Sequence, residues 1–245
     1  MVYNNYFHIG MMRSGIHMIL LWLINKTDNI TFFNNIYDFN NLNNRIIKKN
    51  NYKIFDIKDK INENPKLSKK NLYSIESRSL DIIPKCYINN KNNIFIILIR
   101  NPYNNFASNL KYIENKGKSI HIKKIINENL FTKLWIELAE EYLDITNKIK
   151  KNRKIKIQYE KFINDKDYRQ KISNLLKLDK NIDIIKSNSK WIENAENNDK
   201  WIWGSSFDNT NTNYNNRYLN YINNKKMIEL LNDKKVKYLW DKINK

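Results

Sequence analysis

Two short runs carry residue types that suit anion chemistry. The first is Gly10-Met11-Met12-Arg13-Ser14-Gly15-Ile16-His17, lying between two apolar segments. Glycine permits a tight turn there. A helix starting at the turn offers unpaired backbone N–H groups and the positive end of its dipole. Arg13 adds a fixed charge, and Ser14 and His17 add side-chain donors. Such a run can cradle a phosphate. The competing reading is an ordinary strand-to-helix turn with a surface arginine. It is not a Walker A loop, which needs Gly-Lys-Ser/Thr where this chain has Gly15-Ile16-His17.

The second run is Arg100-Asn101-Pro102, with Ser108 further on. Arg100 closes an apolar segment, at the strand end where open α/β sheets bind ligands. Asn101 suits a helix N-cap and Pro102 the first helical position. Ser108 then falls two turns along on the same face as Asn101. Arg100 and Ser108 can converge on one anion, the guanidinium offering a bidentate fork. A strand-end arginine paired with a helix carboxylate is the plainer alternative. Two such sites on neighbouring strand ends favour function.

Positioning these residues requires particular elements. Residues 6–9 form a short apolar run ending at Gly10, and 16–24 a strongly apolar one continuing to Lys26. This reads as strand, turn and buried helix. Residues 94–99 (IFIILI) are apolar on both faces, as a central parallel strand requires. Strands are also expected at 52–57, 72–75 and 154–158. Helices are expected over 102–114, 129–150, 159–178 and parts of 218–245. Residues 62–70 and 194–216 read as loops. The alternation predicts an α/β fold with a parallel sheet, in a single domain spanning 1–245.

Composition warns against quick conclusions. The chain has 245 residues, of which 45 are Asn, 39 Ile and 37 Lys, about half in all. These are residues of A/T-rich codons, so nucleotide bias is the simplest cause. The formal net charge of +19 is then mostly lysine background, and need not mean nucleic acid. At 41% hydrophobic the chain is too apolar for general disorder. Its longest apolar run, 18–24, is far short of a membrane span. No signal-peptide pattern precedes the first strand, and the single cysteine, Cys86, excludes a disulfide framework or zinc cluster. Cys86 itself is expected to be a small buried apolar group. A cytoplasmic location is the expectation.

The paired runs resemble the two cofactor loops of the sulfotransferase family that uses 3′-phosphoadenylyl sulfate (PAPS). That family has a strand, a K/R-S-G-T-T-type loop for the 5′-phosphosulfate, and a helix; Arg13-Ser14-Gly15 is similar to it. Its second signature is Arg, then Pro two residues on and Ser eight on, gripping the 3′-phosphate. Arg100, Pro102 and Ser108 match it at full spacing. Tyr159, in Gln158-Tyr159-Glu160-Lys161-Phe162, resembles a strand-end tyrosine near the nucleotide. Ser205-Ser206-Phe207 resembles a segment whose ring lies against adenine, and Arg217 a late basic residue reaching the 3′-phosphate. The chain departs from the pattern at Ile16 and His17, where the family has two threonines, and at Met18. It also lacks the glycine usual after the late basic residue.

The resemblance implies a three-layer α/β/α architecture, P-loop NTPase-like, in the sulfotransferase form. It implies in-line transfer of a sulfuryl group from PAPS to an acceptor hydroxyl, of a carbohydrate or small metabolite, with no metal. Arg13, Ser14, Gly15, Ile16, His17, Arg100, Ser108, Tyr159, Ser205, Phe207 and Arg217 would then bind the nucleotide. Arg13 would stabilise the leaving group. The acceptor's proton needs a base. Glu76, after the strand at 72–75, is the first candidate, His17 the second and Asp56 the third. His8 reads as a packed strand residue, His121 as solvated and Trp135 as core. The rival readings are a P-loop-type small-molecule kinase, a nucleotide-binding but inactive family member, and a basic nucleic-acid-binding protein.

Overall fold

Period-two patterns and apolar runs become seven strands in the protein, seen in a computed structural model. They are β1 (Asn4–Gly10), β2 (Ile30–Asn34), β3 (Arg45–Lys49), β4 (Tyr52–Asp56), β5 (Lys70–Glu76), β6 (Asn93–Ile99) and β7 (Lys154–Gln158). The structure describes residues 4–27, 30–34, 36, 45–49, 52–56, 70–116, 124–126, 128–178, 183 and 216–245. The expected strands at 6–9, 52–57, 72–75, 94–99 and 154–158 are all present, most a little longer. β2 and β3 were not expected. β2 (ITFFN) shows neither clean alternation nor a long apolar run, so its pattern is silent.

The sheet order is β3-β4-β2-β5-β1-β6-β7. Every neighbouring pair is parallel except β3 with β4, at the edge. β1 therefore lies inside the sheet, between β5 and β6. The chain moves to one side of β1 for β2 and β5, then to the other for β6 and β7. That reversal places the carboxyl end of β1 at the switch point where such sheets bind ligands.

Alternation along the central strands feeds two cores. Phe7 and Ile9, Tyr73 and Ile75, and Phe95, Ile97 and Ile99 face one side. There they pack with α3 (Pro102–Lys116), α4 (Leu130–Tyr142), α7 (Lys225–Leu231) and α8 (Lys234–Ile243). Tyr6, Leu72, Ile96 and Leu98 face the other side, with α1 (Ile16–Lys26), α5 (Tyr159–Asn164) and α6 (Lys166–Leu176). The result is an α/β architecture with helices on both faces of a mostly parallel sheet, the fold class that the alternation of strands and helices predicts. No helix among the described residues is long and apolar enough to cross a membrane.

Three expectations need correction. The helix expected over 129–150 stops at Tyr142. Glu141 is fully buried and its carboxylate must be satisfied. It accepts from Thr146 Oγ1 (2.8 Å), Lys148 N (3.2 Å) and Ile149 N (3.1 Å), and pairs with buried Lys154. Folding 143–149 back onto this carboxylate, with Asp144 at φ 59°, ends the helix. The helix expected over 159–178 is divided at Asp165, whose side chain caps α6 by accepting from Tyr168 N at 2.9 Å. Cys86 is exposed, because it lies on the outer side of α2 (Lys85–Asn89), a five-residue helix with no fully buried residue that packs only Tyr87 and Ile88 against the core. Lys70 begins β5, while 62–69, His121 and 194–215 lie outside the described residues.

Candidate active site

β1 ends at Gly10, and the chain turns sharply before α1. Ser14 N donates to Met11 O (3.1 Å), and Arg13 sits at φ 62°. Gly15, at φ 90°, occupies the N-cap of α1. Only glycine fits: a Cβ there would stand 1.9 Å from Tyr159 Cε2. No side chain caps α1 and no acidic residue lies in its first turn. Its leading N–H groups and dipole end are thus left for an outside anion. Buried Ser14 Oγ has no hydrogen-bond partner among the described residues, although a buried hydroxyl ordinarily finds one.

Neighbouring elements hold this loop rigidly. Met12 N donates to Ser77 Oγ (2.8 Å), and Ser77 N donates to Gly10 O (2.9 Å). From α3, Asn105 Nδ2 donates to Met12 O at 2.8 Å and Asn109 Nδ2 to the same oxygen at 3.4 Å. Arg100 Nη1 donates to Arg13 O at 2.7 Å. Apart from Met12 N, which is spent on Ser77 Oγ, these bonds use the loop's carbonyls as acceptors and leave the Arg13 side chain and the leading N–H groups of α1 as its chemical face.

Three arginines converge on the same end of the sheet. Arg100 directly follows β6, is 6% exposed, and lies with Cζ 4.5 Å from the centroid of the Tyr159 ring. Its backbone is fixed on both sides: Trp135 Nε1 donates to Arg100 O (3.1 Å), and Asn101 N donates to Glu160 Oε1 (3.0 Å). Asn101 in turn caps α3, accepting from Asn104 N at 2.9 Å. Arg217, in a short 3-10 turn, donates from Nη1 to Ser108 Oγ at 3.1 Å. Arg13 Cζ lies 5.1 Å from the Tyr112 ring centroid. Burial lowers the pKa of Arg13, and the charges of Arg217 and Arg100 lower it further, against Tyr112 and Glu76. Burial and then Arg100 lower that of Arg217. Arginine stays protonated regardless, so the cluster is a site of stored positive potential that an anion relieves.

Beside the loop is a second, smaller group. Strand register places Gly10 opposite Glu76 and His8 opposite Ser74. Ser74 Oγ donates to Glu76 Oε1 at 3.3 Å, and His17 Nε2 lies 3.0 Å from the same oxygen. Beneath them His8 is fully buried, and burial, with the charge of His17 second, pushes its pKa down to about 3.

The structure therefore brings Arg13, Ser14, Gly15, His17, Glu76, Arg100, Ser108, Tyr159 and Arg217 to one end of the sheet. Ile16 contributes its backbone there while its side chain packs in the α1 core. Asp56 ends β4, three strands from β1, and does not join them. Ser205 and Phe207, with Trp191, Trp201 and Trp203, lie outside the described residues. Trp135 is core, as expected, and also orients Arg100. Sequence reasoning missed Asn105, Asn109, Ser77 and Glu160. The asparagines were hidden by the Asn background, although Asn105 and Asn109 share a helical face with Asn101 and Ser108. Among the described residues, no three His, Cys, Asp or Glu side chains gather as a metal site would need.

No protein-family model matches this chain, and no curated protein matches it. Among solved structures, a sulfotransferase from Alicyclobacillus acidocaldarius is similar at a TM-score of 0.43 and 12% identity. That match covers 73% of this chain and 82% of the other. A likeness at this level leaves function to be argued from the residues.

Proposed function

We propose that the protein is a sulfotransferase that takes a sulfuryl group from PAPS and delivers it to an acceptor hydroxyl. One observation carries this reading. Arg217 Nη1 donates to Ser108 Oγ on α3, a contact distinct from the bond by which Arg100 reaches Arg13 O, while all three arginines sense one another's charge at the same sheet end. Two cationic subsites at one sheet end suit a nucleotide with phosphates on both its 5′ and 3′ positions. An ordinary nucleoside diphosphate or triphosphate has nothing to place in the second.

The residues fit such a nucleotide. The 5′ end would lie on Arg13, Ser14, the backbone of Gly15 and Ile16, and His17, where Ser14 Oγ lacks a partner. Arg100, Ser108 and Arg217 would hold the 3′-phosphate, Tyr159 would lie near the nucleotide, and Ser205 and Phe207 are assigned to adenine. When bound, PAPS supplies an activated sulfuryl group on a good leaving group. The chain's own work is positioning and charge stabilisation. Arg13 and the first-turn N–H groups of α1 stabilise negative charge at the leaving oxygen. Rigid anchoring of Met12 and Arg13 carbonyls keeps those donors aimed. Glu76 and His17, with Oε1 and Nε2 3.0 Å apart, are the two groups assigned to the acceptor's proton. A hydroxyl of a carbohydrate or small metabolite is the acceptor class, with the chain acting in the cytoplasm as a single domain.

Thermal shift tests this reading. At about one hundred times its Kd, a ligand stabilises by about 2.7 kcal/mol. For a chain of this size that is about 5–10 °C. Adenosine 3′,5′-bisphosphate is expected to give such a shift and ADP or ATP much less. Arg217→Ala and Ser108→Ala are expected to erase the difference. Equal shifts with ADP, or a preference that survives both substitutions, would exclude it.

A further inference from the structure

Arg217 reaches the site on the 3-10 turn Arg217–Tyr221, which contains no fully buried residue. We propose that Tyr221 and Glu114 are positioning residues for Arg217. Their hydrogen bond holds the turn in register along α3, so that Arg217 meets Ser108 before any nucleotide arrives. The inference rests on the sulfotransferase reading above and deepens it: the grip on the 3′-phosphate is set by a pair of residues that do not touch the ligand.

Apolar burial does little to hold this turn. Leu219 is 50% exposed, and Ile222, just after the turn, is 48% exposed. The rings of Tyr218 and Tyr221 pack only at the edge of the core. Contacts with α3 do the rest. Asn104 Oδ1 accepts from Tyr218 N at 3.4 Å, and the Tyr103 and Tyr218 rings lie 5.9 Å apart. Ser108 Oγ accepts from Arg217 Nη1 at 3.1 Å. Tyr221 OH donates to Glu114 Oε2 at 2.6 Å, the shortest of the three hydrogen bonds described between the turn and α3. Together these contacts span about 15 Å of the helix.

The Tyr221 bond is also the one with charge behind it. A hydroxyl donating to a carboxylate is of the shorter, stronger kind. Burial, then the bond and charge of Glu114, raise the Tyr221 pKa, so the hydroxyl keeps its proton and keeps donating. Tyr221 and Arg217 sense each other's charge, which places the hydroxyl within electrostatic range of the guanidinium. On the other side, Asn224 N donates to Tyr221 O at 2.9 Å, and the Asn224 side chain caps α7, whose Met227 is buried. Tyr221 thus ties both the turn and the start of α7 to the far end of α3.

Glu114 is exposed, so removing its partner leaves a solvated carboxylate and no buried orphan. Variants at this pair are therefore expected to fold. Their cost falls on order within the turn, and binding that needs Arg217 in place weakens by the fraction of molecules in which it is displaced.

Isothermal titration calorimetry with two nucleotides separates positioning from general stability. Adenosine 3′,5′-bisphosphate uses the Arg217 subsite, whereas AMP, with only a 5′-phosphate, does not. Tyr221→Phe and Glu114→Ala are each expected to weaken bisphosphate binding about fivefold to tenfold, the worth of one such hydrogen bond, with AMP affinity unchanged. The double variant is expected to lose no more than either single one, because the two side chains act through one bond. Glu114→Gln, which keeps an acceptor oxygen, is expected to restore most of the affinity. Amide hydrogen exchange over residues 218–224 is expected to quicken in Tyr221→Phe and Glu114→Ala, with β1 and β6 unaffected. Wild-type affinity for the bisphosphate in both variants would overturn the proposal. So would an equal loss for AMP, or losses that add in the double variant. Failure of the sulfotransferase reading shows separately, as equal affinity of the wild-type protein for the two nucleotides, and the exchange comparison then still reads whether the bond holds the turn.

Discussion

His8 shows how far a single residue can tie the site to stability. It sits in the middle of β1, fully buried beneath His17, and its pKa falls to about 3 from an ordinary 6.5. Burial is the main cause, because a charged ring there has no water to solvate it. In the unfolded chain the ring regains its ordinary value and binds a proton through the window from pH 6.5 to 3. The unfolded state then holds more protons, so stability is fully present above pH 6.5 and falls as pH drops. Each pH unit is about 1.4 kcal/mol, so near pH 5 the loss from this one ring is about 2 kcal/mol. Paired carboxylates such as Asp183, held below their usual range chiefly by Arg169 against the opposing effect of burial, titrate lower and do not share this window. Urea unfolding at pH 7.5 and pH 5 measures it. In His8→Leu the difference between the two pH values is expected to shrink by about 2 kcal/mol. An undiminished difference would show that the ring is not held neutral. The sequence supports only a packed strand histidine here; the energetic consequence needs the neighbours.

At the scale of elements, the site is a contact between the start of α1 and the start of α5. Gly15 and Tyr159 meet there, with Arg100 on the ring's other contact. An alanine at position 15 would carry a strained left-handed backbone at about 1–2 kcal/mol and would also collide with the ring. Overpacking adds about 1–3 kcal/mol. Gly15→Ala is therefore expected to cost about 3–4 kcal/mol in urea unfolding. Tyr159→Ala alone leaves a cavity and is costly too. Because the alanine Cβ fills part of that cavity, the double substitution is expected to cost clearly less than the sum of the two. Simple additivity would mean the ring does not press on residue 15. The elements on either side were legible, because an apolar run ending in Gly10 and another ending in Arg100 leave little choice of strand end. The Arg100 to Ser108 spacing was legible too, since helical periodicity fixes which positions share a face. What sequence could not supply was set by tertiary partners. The early end of α4 depends on the buried Glu141–Lys154 pair, and the break between α5 and α6 on one capping aspartate. The loop anchors Asn105 and Asn109 are two asparagines among 45, and no local pattern distinguishes them.

Across the whole molecule, the proposed function gives the +19 charge and the three clustered arginines different stages of binding. Exposed lysines such as Lys85, Lys91 and Lys166 are not among the groups that act on the arginine cluster. Their summed field reaches into solvent over about one Debye length, about 10 Å at 0.1 M salt. On the proposed function, a polyanionic ligand would be drawn in by that field and held by Arg13, Arg100, Ser108 and Arg217. Steering raises association rates and fades with ionic strength, whereas desolvated contacts govern dissociation. Stopped-flow binding of adenosine 3′,5′-bisphosphate separates the two. Between 50 and 500 mM salt the association rate is expected to fall about tenfold or more, with the dissociation rate changing much less. Converting Lys85, Lys91 and Lys166 together to Gln is expected to lower association at low salt and leave dissociation unchanged. Arg217→Ala is expected to do the reverse, mainly speeding dissociation. If the lysine variant releases the nucleotide faster, the surface charge is part of the site. If Arg217→Ala slows only association, Arg217 belongs to the background field and does not grip the nucleotide.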